Sequence, residues 1–334
     1  MGREWSEVAV KITEALHPLW HLWRNEKHLF KGRPLFVTPP WLGTWKSTLG
    51  RNEAFCLLTA NGPLGINGYC ALKVRDTEGL FAGDPEVCDY FDVVIRPGRE
   101  EAVCRALLQT ARQAGLKTLD LFPLRPGSTV MIHGVPVCRA LGYTVSVEPV
   151  DVTVEMPLAE SWEEYLQSLN GKQRHEVRRK MRRMEEAGNV DFRVVTSTSE
   201  LEPALELFFR LFQSNRDDKA RFLTPAMQNY METLCHAMAR EGMLRLCFLH
   251  VNRSPAASAL CFDDGETVFL YNNGYDAAYA RLSVGLMQTI FTIKDATERG
   301  RTRYEFLRGN ETYKFRLGGR EVPLYRVRIF LDAS

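Results

Sequence analysis

Residues 268–300 have the sequence VFLYNNGYDAAYARLSVGLMQTIFTIKDATERG, and this stretch is the strongest indication of the fold. Its apolar start predicts a strand that ends in Asn272-Asn273-Gly274. Asn and Gly at a strand end tolerate a bulge or a break in pairing, which leaves backbone amides free to bind an extended ligand. The stretch therefore predicts a strand whose last residues have unpaired amides.

The helix that follows is entered through Arg281, Leu282, Ser283, Val284, Gly285 and Leu286. Ser283 can cap the helix, and Gly285 allows backbone to come close to a ligand. Free N–H groups and the helix dipole make such an N-terminus favourable for phosphate. A capped core helix with no ligand has the same pattern, so the residues alone leave both interpretations open.

A second informative stretch, RYEFLRGNETYKFRLGG, covers residues 303–319. It predicts a strand that runs into Glu311, Tyr313 and Lys314, and so places a carboxylate, a phenol and an amine beside a strand end. Ligands bind at such strand ends in many α/β folds. Glu311 and Lys314 are also spaced to form a surface ion pair on a helix, worth less than about 1 kcal/mol.

The two halves of the chain share one order of elements. Each has a Thr-Pro helix start, at Thr38-Pro39 and at Thr224-Pro225, followed by an apolar strand. The order predicts an α/β class with mixed sheets and two units in tandem, with domains at residues 1–155 and 156–334. The predicted elements are strands at 54–59, 66–74 and 89–95, a helix at 99–114, a strand at 117–122, a short helix at 128–141 and a strand at 143–154, then strands at 244–251, 256–262 and 266–272, a helix at 284–299, a strand at 302–307, a short helix at 310–316 and a strand pair around 320–331.

Residues 161–188, SWEEYLQSLNGKQRHEVRRKMRRMEEAG, predict one long basic helix that joins the two domains. The basic residues are Lys172, Arg174, Arg178, Arg179, Lys180, Arg182 and Arg183, against the single acidic Glu176. These charges are typical of a solvated helix face. They also suit the phosphates of a coenzyme, a nucleotide-sugar or a tRNA, and charge alone does not choose among these.

Composition excludes several classes of protein. The chain has 334 residues, of which 45% are hydrophobic, and 43 basic residues nearly balance 41 acidic ones. Length predicts about two domains, and composition excludes disorder and low complexity. A net charge of +2 gives no overall attraction to nucleic acid or a membrane.

Neither a metal site nor export is predicted. The eight cysteines are scattered without Cys-x-x-Cys, and the seven histidines form no His-Glu-x-x-His. Reduced, buried thiols are expected. The opening MGREWSEVAVKITEALHPLW lacks a basic start with an apolar run, and no window approaches the roughly 20 apolar residues that cross a bilayer. We expect a cytoplasmic protein without a membrane span.

Residues 271–300 together with 304–319 resemble the C-terminal signature of the CelD/BcsL family, with its BioF2-like acetyltransferase domain, in the GNAT acyl-CoA N-acyltransferase superfamily. The segment 161–188 and the early FVTPPWLGTW, residues 36–45, resemble it too, so the similarity covers nearly the whole chain. The resemblance extends to FemAB-type peptidyltransferases. It implies tandem GNAT-like domains and an enzyme that uses acetyl-CoA or another acyl-CoA, without a metal, to modify a saccharide or cell-envelope precursor.

The resemblance implies the donor and the reaction class, and the residues themselves suggest where the site lies. Co-substrate contacts are expected at Asn272, Asn273, Gly274, Arg281, Ser283, Val284, Gly285 and Leu286. The first three would polarise the thioester carbonyl, and the others would hold the pyrophosphate. Catalytic candidates are Asp276, Glu311, Tyr313 and Lys314. The carboxylates of Asp276 and Glu311 and the phenol of Tyr313 would move protons, whereas the amine of Lys314 would bind an acidic substrate or a phosphate.

Two alternatives remain at this point. GNAT enzymes usually have Arg/Gln-x-x-Gly-x-Gly/Ala at the pyrophosphate turn, and here Gly285 is the one glycine in Arg281-x-Ser283-x-Gly285-Leu286. An aminoacyl-tRNA donor, held by the basic helix, would keep the fold but change the co-substrate. A degenerate transferase fold that acts only as a binding module is the other alternative.

Overall fold

The computed structural model describes residues 8–30, 32–63, 65–214 and 221–332. The first half of the chain consists of strands and helices in mixed order. They are β1 (Ala9–Thr13), α1 (His17–Asn25), α2 (Pro39–Ser47), β2 (Ala54–Gly62), β3 (Gly65–Arg75), β4 (Glu78–Phe81), β5 (Val94–Ile95), α3 (Glu100–Gln113), β6 (Thr118–Leu124), α4 (Val135–Ala140) and β7 (Thr144–Pro157).

The second half repeats this alternation after two added helices. The elements are α5 (Trp162–Ser168), α6 (Gly171–Glu186), β8 (Val190–Val195), α7 (Leu201–Gln213), α8 (Pro225–Arg240), β9 (Leu244–Val251), β10 (Ser254–Asp263), β11 (Thr267–Tyr275), α9 (Val284–Glu298), β12 (Arg303–Arg308), α10 (Thr312–Arg316) and β13 (Arg320–Phe330). In the described part of the chain, no helix combines the length and the apolar composition needed to cross a membrane.

Two compact units make up the chain. Unit 1 consists of Met1–Val152 with Val322–Ser334, and unit 2 consists of Thr153–Glu321. The sheet of unit 1 has the strand order β1-β2-β3-β4-β6-β13, with β5 against β3, and that of unit 2 has the order β8-β9-β10-β11-β12-β7. Among the described strands, each sheet contains one parallel pair, β4 with β6 and β11 with β12, connected by crossover helices α3 and α9. The predicted α/β class with mixed sheets is confirmed.

The last strand of each sheet comes from the other half of the chain. In unit 1 the antiparallel neighbour of β6 is the 325–330 part of β13. In unit 2 the antiparallel neighbour of β12 is the 153–157 part of β7. The units therefore differ from the predicted domains 1–155 and 156–334 by an exchange of terminal strands. The strand pair predicted around 320–331 is wrong, because β13 is one continuous strand.

The predicted long helix over 161–188 is also wrong, because α5 and α6 are separate helices of unit 2. Asn170 has extended backbone and begins α6 with a reciprocal cap. Its Oδ1 accepts from the Gln173 N–H at 2.9 Å, and its own N–H donates to Gln173 Oε1 at 3.3 Å. An Asn that satisfies free amides in this way starts a new helix. Val177 and Met184 then bury one side of α6 in the core of unit 2.

Candidate functional site

The parallel strands β11 and β12 are neighbours only at their beginnings. Among the described residues their pairing covers 267–269 of β11 and 303–305 of β12. Just beyond it, Tyr271 is an extra residue of β11 relative to β10, and Phe306 is an extra residue of β12 relative to β7. Bulges bend strands and re-aim their ends. β11 thus separates from β12 after Phe269. The expected unpaired strand end at 272–274 is wrong on the other side, because these residues remain paired with β10 after the bulge.

The far end of β11 is held on one face by α7. A Cβ at Gly274 would lie 2.5 Å from backbone atoms of Leu211 and Phe212, so only glycine allows this approach. Ser214 Oγ donates to the Tyr275 carbonyl oxygen at 2.9 Å and fixes the same end. Gly274 thus serves the packing of α7 on the strand, a role that the sequence pattern did not indicate.

Three backbone amides are free at the start of α9. Ser283, at φ 56° and ψ 40°, is in the left-handed region and turns the chain into the helix. Its N–H donates to Ala280 O and its carbonyl accepts from Met287 N, but the N–H groups of Val284, Gly285 and Leu286 have no acceptor among the described residues. Free amides at a helix N-terminus favour an anion.

The Ser283 side chain has a different partner from the one predicted. Ser283 is the N-cap residue, but its hydroxyl makes no capping bond to the helix. Instead, its Oγ accepts from Lys180 Nζ of α6 at 2.7 Å. This contact brings an ammonium group beside the free amides of α9, and Arg281 lies exposed in the preceding turn. The arrangement adds positive charge to a helix N-terminus that already favours anions.

A positively charged groove of about 780 Å³ extends from this point. Its lining consists of Asn170, Lys172, Gln173, His175, Glu176, Val177, Lys180, Leu286, Arg316 and Leu317. Hydrogen bonds from Arg179, with the charges of Arg179 and Lys180, lower the pKa of Glu176 to about 2. The basic residues of α6 therefore differ in their surroundings. Lys172 and Lys180 line the groove, whereas Arg178 forms an ion pair with Glu163.

Lys314 is the buried support of the strand end. It is 2% exposed, and its Nζ donates to the carbonyls of Leu307, Arg308 and Gly309 at 3.1, 2.6 and 3.1 Å. Glu311 Oε2 lies 3.0 Å from the same nitrogen. An ammonium has three N–H donors, and these acceptors use them all. Lys314 therefore holds the turn after β12, where Leu307 is left-handed at φ 61°, and has no donor left for a substrate.

The other catalytic candidates differ in whether their polar groups already have hydrogen-bond partners. Tyr313 is half-buried, burial raises the pKa of its phenol above the usual value, and its hydroxyl has no partner among the described residues. Glu311 is exposed and folds over Gly309 toward Lys314. Asp276 Oδ1 accepts from the Ala278 N–H at 2.9 Å and caps a 3-10 turn. Tyr313 is thus the candidate whose polar group is least engaged.

The candidates form two groups. One consists of the end of β11, the free amides of α9 and Lys180, and the other of residues 307–314 after β12. Both follow the carboxyl ends of parallel neighbouring strands, which lie at the same edge of a sheet. In the described residues no three His, Cys, Asp or Glu side chains are grouped as metal ligands. The sequence indicated Lys180 only as one of seven basic residues, because its contact is 103 positions away.

Comparison with known proteins finds a family match over the same part of the chain. Residues 171–315, from the start of α6 into α10, match the family model described as an acetyltransferase (GNAT) domain. No curated protein is significantly similar to the chain.

Solved structures match the whole fold. FemX is 13% identical with a TM-score of 0.65, over 95% of this chain and 96% of FemX. A conserved protein of unknown function from Bacteroides thetaiotaomicron is 10% identical with a TM-score of 0.61, over 96% of this chain and 100% of that one. Residues 171–315 are therefore similar to a GNAT acetyltransferase domain, and the chain as a whole has the fold of FemX.

Proposed function

We propose that this protein is an acyltransferase that moves an acyl group, in the first place acetyl, from acyl-CoA to an amine or hydroxyl of a saccharide or cell-envelope precursor. The observation that carries the proposal is the set of free amides at Val284, Gly285 and Leu286, beside two strands that separate. The GNAT family match supports the thioester donor. The resemblance to the CelD/BcsL family supports the saccharide acceptor, and the free cysteines, nearly all of them buried, support a cytoplasmic location.

The donor binds through two features of the site. Its diphosphate accepts hydrogen bonds from the free amides of α9, and Lys180 and Arg281 neutralise part of its charge. Its pantetheine arm lies along the separated ends of β11 and β12, where the backbone of residues 272–274 meets the thioester. A fixed diphosphate and a confined arm place the carbonyl carbon for attack, which supplies much of the rate gain in a two-substrate reaction.

Transfer proceeds by direct attack. The acceptor nitrogen or oxygen forms a bond to the thioester carbonyl carbon, polar groups at the separated strand ends stabilise the developing oxyanion, and the carbon–sulfur bond then breaks to release the CoA thiolate. The acceptor loses one proton to a carboxylate, for which Asp276 and Glu311 are the candidates, and the departing thiolate gains one from the Tyr313 phenol. Lys314 has no part in this step, because its donors are already used.

A second donor has one observation in its favour. The groove lined by Lys172, His175, Lys180 and Arg316 is positive and open, and such a surface also suits the backbone of an aminoacyl-tRNA. The fold likeness to FemX keeps this alternative in view. Binding that neutralises several phosphates weakens steeply with salt, whereas a single diphosphate gives a shallow dependence.

Calorimetric titration with CoA, acetyl-CoA and tRNA tests the proposal. We expect CoA and acetyl-CoA to bind with affinities that fall only slightly as salt rises, and tRNA to bind weakly or not at all. Binding of tRNA alone, with a steep salt dependence, would favour the aminoacyl-tRNA donor. Binding of none of the three would support a binding module without transferase activity.

A further inference from the structure

Gln288 of α9 has a side-chain amide that is buried and unpaired. The residue is 0% exposed, and neither Nε2 nor Oε1 has a hydrogen-bond partner in the described residues. Burial of an amide without a partner costs free energy, and buried polar groups in folded proteins are nearly always bonded. An amide left in this state is therefore a candidate for a bond to a ligand.

The position of Gln288 follows from the register of α9. Thr292, one turn later, shares a 2.6 Å hydrogen bond with the hydroxyl of Tyr304 in β12. Tyr304 pairs with Val268 of β11, within the short stretch where the two strands are joined. Residues four apart share a helix face, so Gln288 lies about 6 Å nearer the N-terminus of α9 on the side of Thr292.

This displacement places Gln288 over the separating strands. A crossover helix runs antiparallel to the strands it connects, so moving toward its N-terminus means moving toward the carboxyl ends of β11 and β12. A shift of about 6 Å corresponds to about two strand residues and passes the last joined pair, Phe269 with Glu305. The free N–H groups of Val284–Leu286 lie one turn further along the same helix.

We infer that the Gln288 amide binds an amide group of the donor's pantetheine arm. A primary amide donates and accepts at once, and each of the two pantetheine amides offers one C=O and one N–H to such a partner. No apolar part of the coenzyme would satisfy both orphan atoms. The inference rests on the proposed function, since it assumes that a CoA thioester occupies the space between the strands.

The test measures the affinity of the Gln288→Leu variant for CoA and for ADP, and the temperature at which the free variant unfolds. We expect the variant to bind CoA about tenfold more weakly and to bind ADP, which has the diphosphate but no pantetheine, with unchanged affinity. We also expect the free protein to unfold at a higher temperature, because an unpaired polar group has been replaced by an apolar one of similar size. Gln288→Met should behave alike and covers the case in which Leu packs poorly.

Other outcomes would overturn the inference. Unchanged CoA affinity in both variants would exclude a contact with the pantetheine arm. A lower unfolding temperature with unchanged CoA affinity would show that the amide holds an internal water. Equal weakening of CoA and ADP would place the defect at the N-terminus of α9. Failure of the unsubstituted protein to bind either ligand would instead refute the proposed function, and this inference with it.

Discussion

In the proposed mechanism, Tyr313 delivers the proton to the leaving thiolate. Its ring lies edge-on to Phe306, with centroids 6.4 Å apart, and its phenol pKa is raised by burial and further by the charge of Glu311. A phenol whose pKa lies above its usual value stays protonated through neutral and mildly alkaline pH. It can therefore donate a proton throughout that range.

We expect Tyr313→Phe to lower kcat by about 10- to 100-fold with little change in the KM for acyl-CoA, because proton transfer is lost and binding is not. The ratio of wild-type to variant kcat should stay constant from about pH 7 to 9, since a raised pKa keeps the phenol protonated there. Steady-state kinetics across this range check both points. Glu311→Gln serves as the comparison for the base, and near-normal rates in both variants would refute these roles.

At the scale of elements, the free amides of α9 lie next to the charged groove of α6, and we propose that together they bind the donor's diphosphate. Lys180 connects them through Ser283, and it also lies 3.4 Å from Glu176. A charge at a helix N-terminus acts within about one turn, so other basic residues of α6 have little influence there. We therefore expect the effect of α6 on anion binding at this N-terminus to come from Lys180 rather than from the total charge of the helix.

Lys180→Gln should weaken CoA binding by about five- to tenfold at low salt, and by less at high salt, because a partly screened positive charge beside the diphosphate is removed. Arg183→Gln removes the same charge from an exposed position outside the groove and is the matched control. Calorimetry at two salt concentrations measures both. Equal losses in the two variants would mean that α6 acts only through its total charge.

The contact of α7 with β11 depends on the absence of one side chain. Gly274→Ala would put a Cβ 2.5 Å from the backbone of α7, and a backbone cannot move aside as a side-chain tip can. We expect a loss of about 1–3 kcal/mol in the free energy of unfolding, measured by urea titration. Gly171→Ala at the start of α6, where a Cβ would meet nothing within 4 Å, should be close to neutral. A neutral Gly274→Ala would show that α7 shifts freely.

At the scale of the whole molecule, each unit needs a strand from the opposite half of the chain. We expect a fragment of residues 1–155 to remain unfolded, because β6 would lack its antiparallel neighbour and the sheet would lose buried Val327 and Ile329. Residues 1–152 joined by a flexible linker to 322–334 should fold. Circular dichroism and proteolysis distinguish the two fragments, and a folded 1–155 fragment would contradict the expectation.

Local patterns predicted much of the fold. The crossover helix was placed at 284–299 and lies at Val284–Glu298, and the strand before α10 was placed at 302–307 and lies at Arg303–Arg308. Apolar periodicity, Gly and Pro determine such elements within a short window. The break between α5 and α6 was missed because the capping Asn170 lies inside a run that otherwise favours helix.

Long-range contacts were not predictable from a single sequence. The antiparallel neighbour of β6 is β13, about 200 residues further along the chain, and the local sequence of neither strand indicates this pairing. For the same reason Lys314 was expected to contact a substrate, although its Nζ is turned inward to three carbonyls. Free amides at α9 were foreseen because a helix N-terminus leaves them unpaired whatever its surroundings.

The late position of β13 in the sequence also affects the order in which the two units can fold during synthesis. A ribosome makes residues 153–321 before it reaches the 325–330 part of β13, so the sheet of unit 1 is incomplete until all of unit 2 has been translated. Domains commonly fold as they emerge, with the amino-terminal one first. Here the amino-terminal unit can complete its sheet only after unit 2 has been synthesised, so we expect it to be the last of the two units to fold.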